Sequence, residues 1–252
     1  MAWSNRTGLG GWRVFGIPIL VDPSWFVIVV WVAWTLAHGY FPSGHPGWPP
    51  TMYWLTGAIA AVLLFGCVLL HELGHSLVAK RVGIPVTQVT LFIFGGVAQL
   101  GQEPRRPQTE LLIALAGPMV SVALAWGCSV LGGTLPAETL GQEAVVAILR
   151  YLGFVNVALL CFNLLPGFPL DGGRVLRALL WAWTGSLRKA TRVASLAGAG
   201  LGWGLAGLGI WALLRGARLD GLWYIVLGLF LRGAARNSYR RAGPAPRSEA
   251  GA

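Results

Sequence analysis

Residues 71–75 read His71-Glu72-Leu73-Gly74-His75, near the end of an apolar run that extends from Tyr53 to Ala79. On a helix, positions i and i+4 share one face one turn apart, so both imidazoles can address a single metal ion. Glu72 stands beside them as a group able to take up a proton. With four His and six Glu in 252 residues, chance delivers this pattern on the order of once in a thousand such chains. In a soluble helix the three groups could be satisfied by polar neighbours alone. Inside a hydrocarbon-like run they are costly, and the functional reading takes precedence.

The surroundings are those of a membrane protein. Only 11% of residues are charged and 55% are apolar, with 13 Trp. The first apolar run has no small-residue cleavage site after it and reads as a retained span, not a signal peptide. The net charge of +10 does not point to nucleic acid, because the basic residues are scattered at the ends of apolar runs. Cys67, Cys128 and Cys161 all fall inside apolar runs and read as small core residues with no disulfide framework.

The pattern predicts an all-α polytopic membrane protein of about six transmembrane helices with a short membrane-associated β segment. Residues 1–16 form a cytosolic arm, 17–231 the membrane core and 232–252 a basic, disordered cytosolic tail. Spans are expected over about 17–40, 53–79, 111–131, 151–165, 193–214 and 219–231, the last short for a ~20-residue crossing. Between the second and third, Ile84–Leu100 is rich in β-branched and aromatic residues and is broken by Gly95-Gly96, which predicts a strand or hairpin. Open strand edges do not face lipid, so this segment must be buried in protein or line a cavity. Asn163-Leu-Leu-Pro166-Gly-Phe-Pro169-Leu-Asp171-Gly172-Gly173-Arg174 cannot be one regular helix, given its prolines and glycines. With six spans, sixteen of the 19 Lys and Arg fall on the side that holds both termini, which the positive-inside rule makes the cytosol.

A catalytic zinc takes three protein ligands and a water. His38 and His45 belong to the outer side, away from the motif. Cys67 lies one turn before His71 on the same helix, and three donors in a straight row cannot converge on one ion. Asp22, followed by Pro23, reads as a helix cap. Asp171 comes from another element at the inner side and follows a broken helix end, which makes it the favoured third ligand over a simple turn aspartate.

The H-E-L-G-H helix together with N-L-L-P-G-F-P-L-D-G-G-R resembles the site-2 protease family of intramembrane zinc metalloproteases, over roughly 17–231. The resemblance implies one Zn2+ per chain held by His71, His75 and Asp171, with Glu72 as catalytic base. Asn163 matches a family asparagine that assists substrate or transition-state binding; a buried amide tying the fourth span to a neighbour is the alternative. Phe94-Gly95-Gly96-Val97 resembles a membrane-embedded strand the family uses near its substrate, which makes Gly95 and Gly96 candidate substrate-binding positions. A structural re-entrant hairpin is the competing role. Ala116-Gly117-Pro118 matches a family pattern on the third span. No PDZ-like insertion or CBS pair is recognisable.

The expected activity is hydrolysis of peptide bonds within or near the transmembrane segments of a membrane-protein partner. The chain sits multi-pass in the lipid bilayer of the cell membrane and binds no nucleic acid. A metal transporter and a catalytically silent membrane scaffold are the alternatives. Transport would spread polar groups along a path, and a scaffold would have no use for Glu72.

Overall fold

The computed structural model describes residues 9–241; the first part of the expected arm (1–8) and the last part of the expected tail (242–252) lie outside the described residues. The chain divides into two units, 1–103 with 116–161, and 104–115 with 162–252.

The first unit opens with a hairpin, β1 (Leu9–Val14) and β2 (Ile17–Val21). Its turn residues Phe15 and Gly16 both have positive φ, +51° and +76°, the backbone hand that matches the twist of a tight hairpin. Lys80 Nζ donates to Phe15 O at 2.8 Å and fastens the turn to the far end of the motif helix. Strand β2 then pairs in parallel with β3 (Val86–Phe92), which pairs antiparallel with β4 (Gly95–Leu100). The sheet order is β1-β2-β3-β4, so β4 is an edge. The hairpin expected within 84–100 is therefore present. Residues 17–21 are strand and do not begin the first span. An apolar run this short suits either state, and the distant partner β3 decides it.

Helix α1 (Ser24–Thr35) continues through a π-helical turn, Leu36–Tyr40, into α2 (Phe41–Gly44). The motif helix α3 (Pro50–Arg81) starts on a proline, whose missing N–H costs nothing there, and ends before Gly83 at φ +82°. Leu69, Leu73 and Leu77 form a stripe one turn apart that packs on Ile17, Ile19 and Val89 of the sheet. Farther along, Cys67 and Ala60 join Phe41, Trp48, Tyr151 and Leu152 in a second core, the packing role expected of Cys67. Gly57 lets α1 approach, since a Cβ there would meet Ala33 O at 2.8 Å. The later part of α4 (Pro107–Thr134) crosses α3 at Gly74, where a Cβ would meet Ala116 O at 2.9 Å. Helix α5 (Leu140–Asn163) completes the unit up to residue 161 and begins eleven residues before the span expected over 151–165.

The second unit contains the first turns of α4, α6 (Asp171–Thr184), α7 (Leu187–Leu214) and α8 (Arg218–Arg241). Gly202 and Gly209 of α7 meet Gly228 and Gly221 of α8 backbone to backbone. Helix α8 runs on past residue 231. Among the described residues, five helical segments are long and apolar enough to cross a membrane: 24–44, 50–81, 107–134, 140–163 and 187–214. α8 is not one of them.

Candidate metal centre

His71 and His75 project from α3 toward Gly117 and Ser121 of α4 and are buried, 2% and 3% exposed. Their Nε2 atoms lie 3.2 Å apart. A tetrahedral zinc with Zn–N bonds of about 2.05 Å holds two nitrogens about 3.3 Å apart, so the pair fits the ion. His71 Nδ1 lies 2.8 Å from Ser121 Oγ, a hydroxyl that is itself fully buried. In the tautomer that donates Nδ1–H to Ser121, His71 Nε2 carries the lone pair a metal needs.

Gly117, one turn before Ser121 on α4, makes the remaining space. A Cβ built there would overlap Nε2 of both histidines. Any side chain at 117 would therefore fill the volume both nitrogens face. The Gly117 N–H also lies 3.4 Å from His75 Nδ1. The sequence flagged Gly117 as part of a pattern, but its contact with the imidazoles, and the role of Ser121, were missed. A small residue and a hydroxyl four apart on an apolar helix are the signal that could have found them.

Glu72, on the adjoining face of α3, is turned toward the sheet. Its Oε2 accepts the N–H of Ala98 in β4 at 3.0 Å. Gly96 lies directly over its stem: an added Cβ would stand 2.6 Å from Glu72 Cγ and 3.3 Å from Val68 Cγ1. Gly95 adopts φ +123°, a conformation that requires glycine. Both glycines thus have local structural work to do, whatever docks on β4.

In the second unit, Asp171 is the first residue of α6 and is 9% exposed. Its neighbours are packed to the limit. A Cβ at Gly172 would overlap the Leu164 and Leu165 carbonyls, and one at Gly173 the Gly167–Phe168 peptide. Asn163 ends α5 and is half-buried, so residues 164–170 join the two polar candidates of this unit. Unforeseen was a buried ion pair here, Glu110 with Arg177.

The remaining candidates have other tasks. Asp22 Oδ1 accepts from Ser24 N at 2.9 Å and Ser24 Oγ at 2.6 Å, and Ser24 Oγ accepts from Ile93 N at 3.2 Å. That is an aspartate turn just ahead of α1, whose N-cap position is Pro23 with no side-chain cap bond, so the expected cap is a turn instead. His38 stacks on Trp34 and His45 on Trp48.

Comparison with known proteins bears on this arrangement. The model of peptidase family M50 matches residues 59–143 and 130–205. The Synechocystis protein sll0528, whose name is that of a zinc metalloprotease, is 43% identical over 233 residues, 91% of this chain and 59% of its own length. Rip3 of Mycobacterium tuberculosis, also named for a zinc metalloprotease, is 40% identical over 229 residues, 91% of this chain and 58% of its own. The chain thus spans just under three fifths of these relatives. The solved site-2 protease of Methanocaldococcus jannaschii matches with a TM-score of 0.62 at 28% identity, covering 92% of this chain and 95% of that one.

Proposed function

The chain belongs to peptidase family M50, the site-2 proteases, and from that premise we propose that it hydrolyses peptide bonds within or near transmembrane segments of membrane proteins. It is an integral membrane protein of a family of zinc metalloproteases. The observation that carries the reading is the 3.2 Å separation of the buried His71 and His75 nitrogens, with Glu72 between them on the same helix.

His71, His75 and Asp171 hold the zinc in this reading. Each offers one donor atom of the type zinc takes, a ring nitrogen or a carboxylate oxygen. When bound, the ion supplies a Lewis acid that acidifies water and polarises the scissile carbonyl. Glu72 accepts the proton of the attacking water and returns it to the leaving amide nitrogen as the C–N bond breaks. Asn163 donates a hydrogen bond to the oxyanion. The β4 edge, with Gly95 and Gly96 at its start, receives the substrate as an extended strand, because a helical peptide keeps its carbonyls bonded and shielded. Both termini are cytosolic in this reading, with α8 making the return crossing as it packs antiparallel along α7 although it is less apolar than the five other spans, and the membrane is the cell membrane.

Glu72→Gln tests the activity. Cleavage of a model single-span substrate should vanish while zinc content stays near one per chain. Persistent cleavage would remove Glu72 from the mechanism, and a metal flux or partner binding that survives the change, with no cleavage by the parent protein, would favour a transporter or scaffold.

A further inference from the structure

The segment that delivers Asp171 is gripped from two sides within the second unit. On one side, Phe168 N–H donates to Ala194 O of α7 at 3.0 Å. Gly198 of α7 lies so close that any Cβ there would overlap the Phe168 backbone. On the other side, the Arg177 guanidinium sits over the Phe168 ring, 5.0 Å from its centroid. Arg177 is in turn held by Glu110: Nε donates to Oε1 at 2.6 Å, and Nη2 pairs with the same oxygen. Glu110 is 0% exposed and Arg177 8%.

An ion pair this deep is an expensive way to join two helices, since apolar residues of similar volume pack as well or better. What apolar side chains lack is a planar cation that stacks on an aromatic ring with its azimuth fixed by a carboxylate. Phe168 stands three residues before Asp171 and Arg177 six after it, so the stack brackets the first turn of α6. Leu170 N donates to Gly167 O, and Gly173 N to Leu170 O, both at 3.0 Å, which carries the constraint through the backbone to Asp171.

We propose that Glu110 and Arg177 are positioning residues for the Asp171 carboxylate. The Glu110-anchored guanidinium fixes the Phe168 ring, and the ring and its backbone fix the start of α6. This rests on the reading of Asp171 as a zinc ligand. In this role neither residue is itself a ligand to the ion.

The test uses the full chain in detergent micelles, loaded with Zn2+ or with Co2+ as a spectroscopic probe. Arg177→Lys keeps the charge but loses the planar stack, Phe168→Leu removes the ring, and Glu110→Leu with Arg177→Met replaces the pair by apolar volume. Variants that retain the parent thermal midpoint should bind zinc ~10-fold more weakly, the scale of loss seen when a ligand's supporting contact is removed. Their cobalt d–d bands should also shift in position or intensity. A purely structural pair would move the thermal midpoint alone; folded variants with the parent zinc affinity and cobalt spectrum overturn the proposal. If the double variant fails to fold, the two single variants decide. Asp171→Ala separates the layers. If it too leaves affinity and spectrum unchanged, the ligand reading fails and the proposal with it; if it alters both while the folded variants do not, only the positioning role falls.

Discussion

Ser121 Oγ lies 2.8 Å from His71 Nδ1, and both side chains are buried. A ligand imidazole without such a partner is free to rotate and to present the wrong tautomer. Ser121→Ala should therefore weaken zinc binding by ~10-fold or more without removing a ligand. Competition with a chelator of known affinity measures it. An unchanged affinity would show that ring packing alone orients His71.

Gly117→Ala should be more damaging than its size suggests. The added methyl would occupy the space that Nε2 of both histidines face, so zinc content should fall well below one per chain. Gly127→Ala on the same helix is the control, because nothing lies within 4 Å of a Cβ there. Metal analysis of the two purified variants should separate them; equal zinc content would place the metal elsewhere.

The two buried aspartates should fail in different ways. Asp171→Ala should abolish stoichiometric zinc. Asp22→Ala removes acceptors for Ser24 at the head of α1 and should cost about 1 kcal/mol of stability, with zinc retained. Metal content and thermal midpoint, read on both variants, check the pair of expectations. Equal, mild effects on zinc would remove Asp171 from the ligand set.

Cleavage should fall in the cytosol-proximal part of a substrate span. By the helical rise, His71 and His75 lie roughly 8–14 Å before Lys80, which the proposed topology puts at the cytosolic end of α3. Gly, Pro or Asn near the cut should accelerate it and a run of Leu should slow it, since the former loosen helix locally. Mass spectrometry of fragments from a single-span substrate locates the bond. Cuts in the outer half would contradict the orientation of α3.

The local chemistry of this chain was legible because it depends on spacing along one element. The His71–His75 turn, the hairpin with its Gly95-Gly96 start and the turn at Asp22 all follow from residues close in sequence. The misjudged parts depend on distant partners. Ile17–Val21 is apolar enough for a span, and only pairing with Val89–Leu91 makes it a strand. That a Cβ at Gly96 would meet the stem of Glu72, twenty-four residues earlier, is a contact that spacing along the chain does not show. Glu110 and Arg177 stand 67 residues apart and carry no motif, so nothing in the sequence couples them.

The length of α3 has a consequence for how the protein sits in lipid. Its 32 residues extend ~48 Å, against a hydrocarbon thickness of ~30 Å. Fitting it entirely inside would need a tilt of roughly 50°, beyond the range of about 0–40° that spanning helices adopt. Part of α3 must project past the acyl chains, and Lys80 and Arg81, both exposed, are the residues suited to that end. The histidines are riveted to a rod whose immersion is set by the bilayer, not by the fold. Reconstitution in shorter- or longer-chain phospholipids should therefore slide the scissile position along a fixed substrate, making acyl length a selector of which bond is reached.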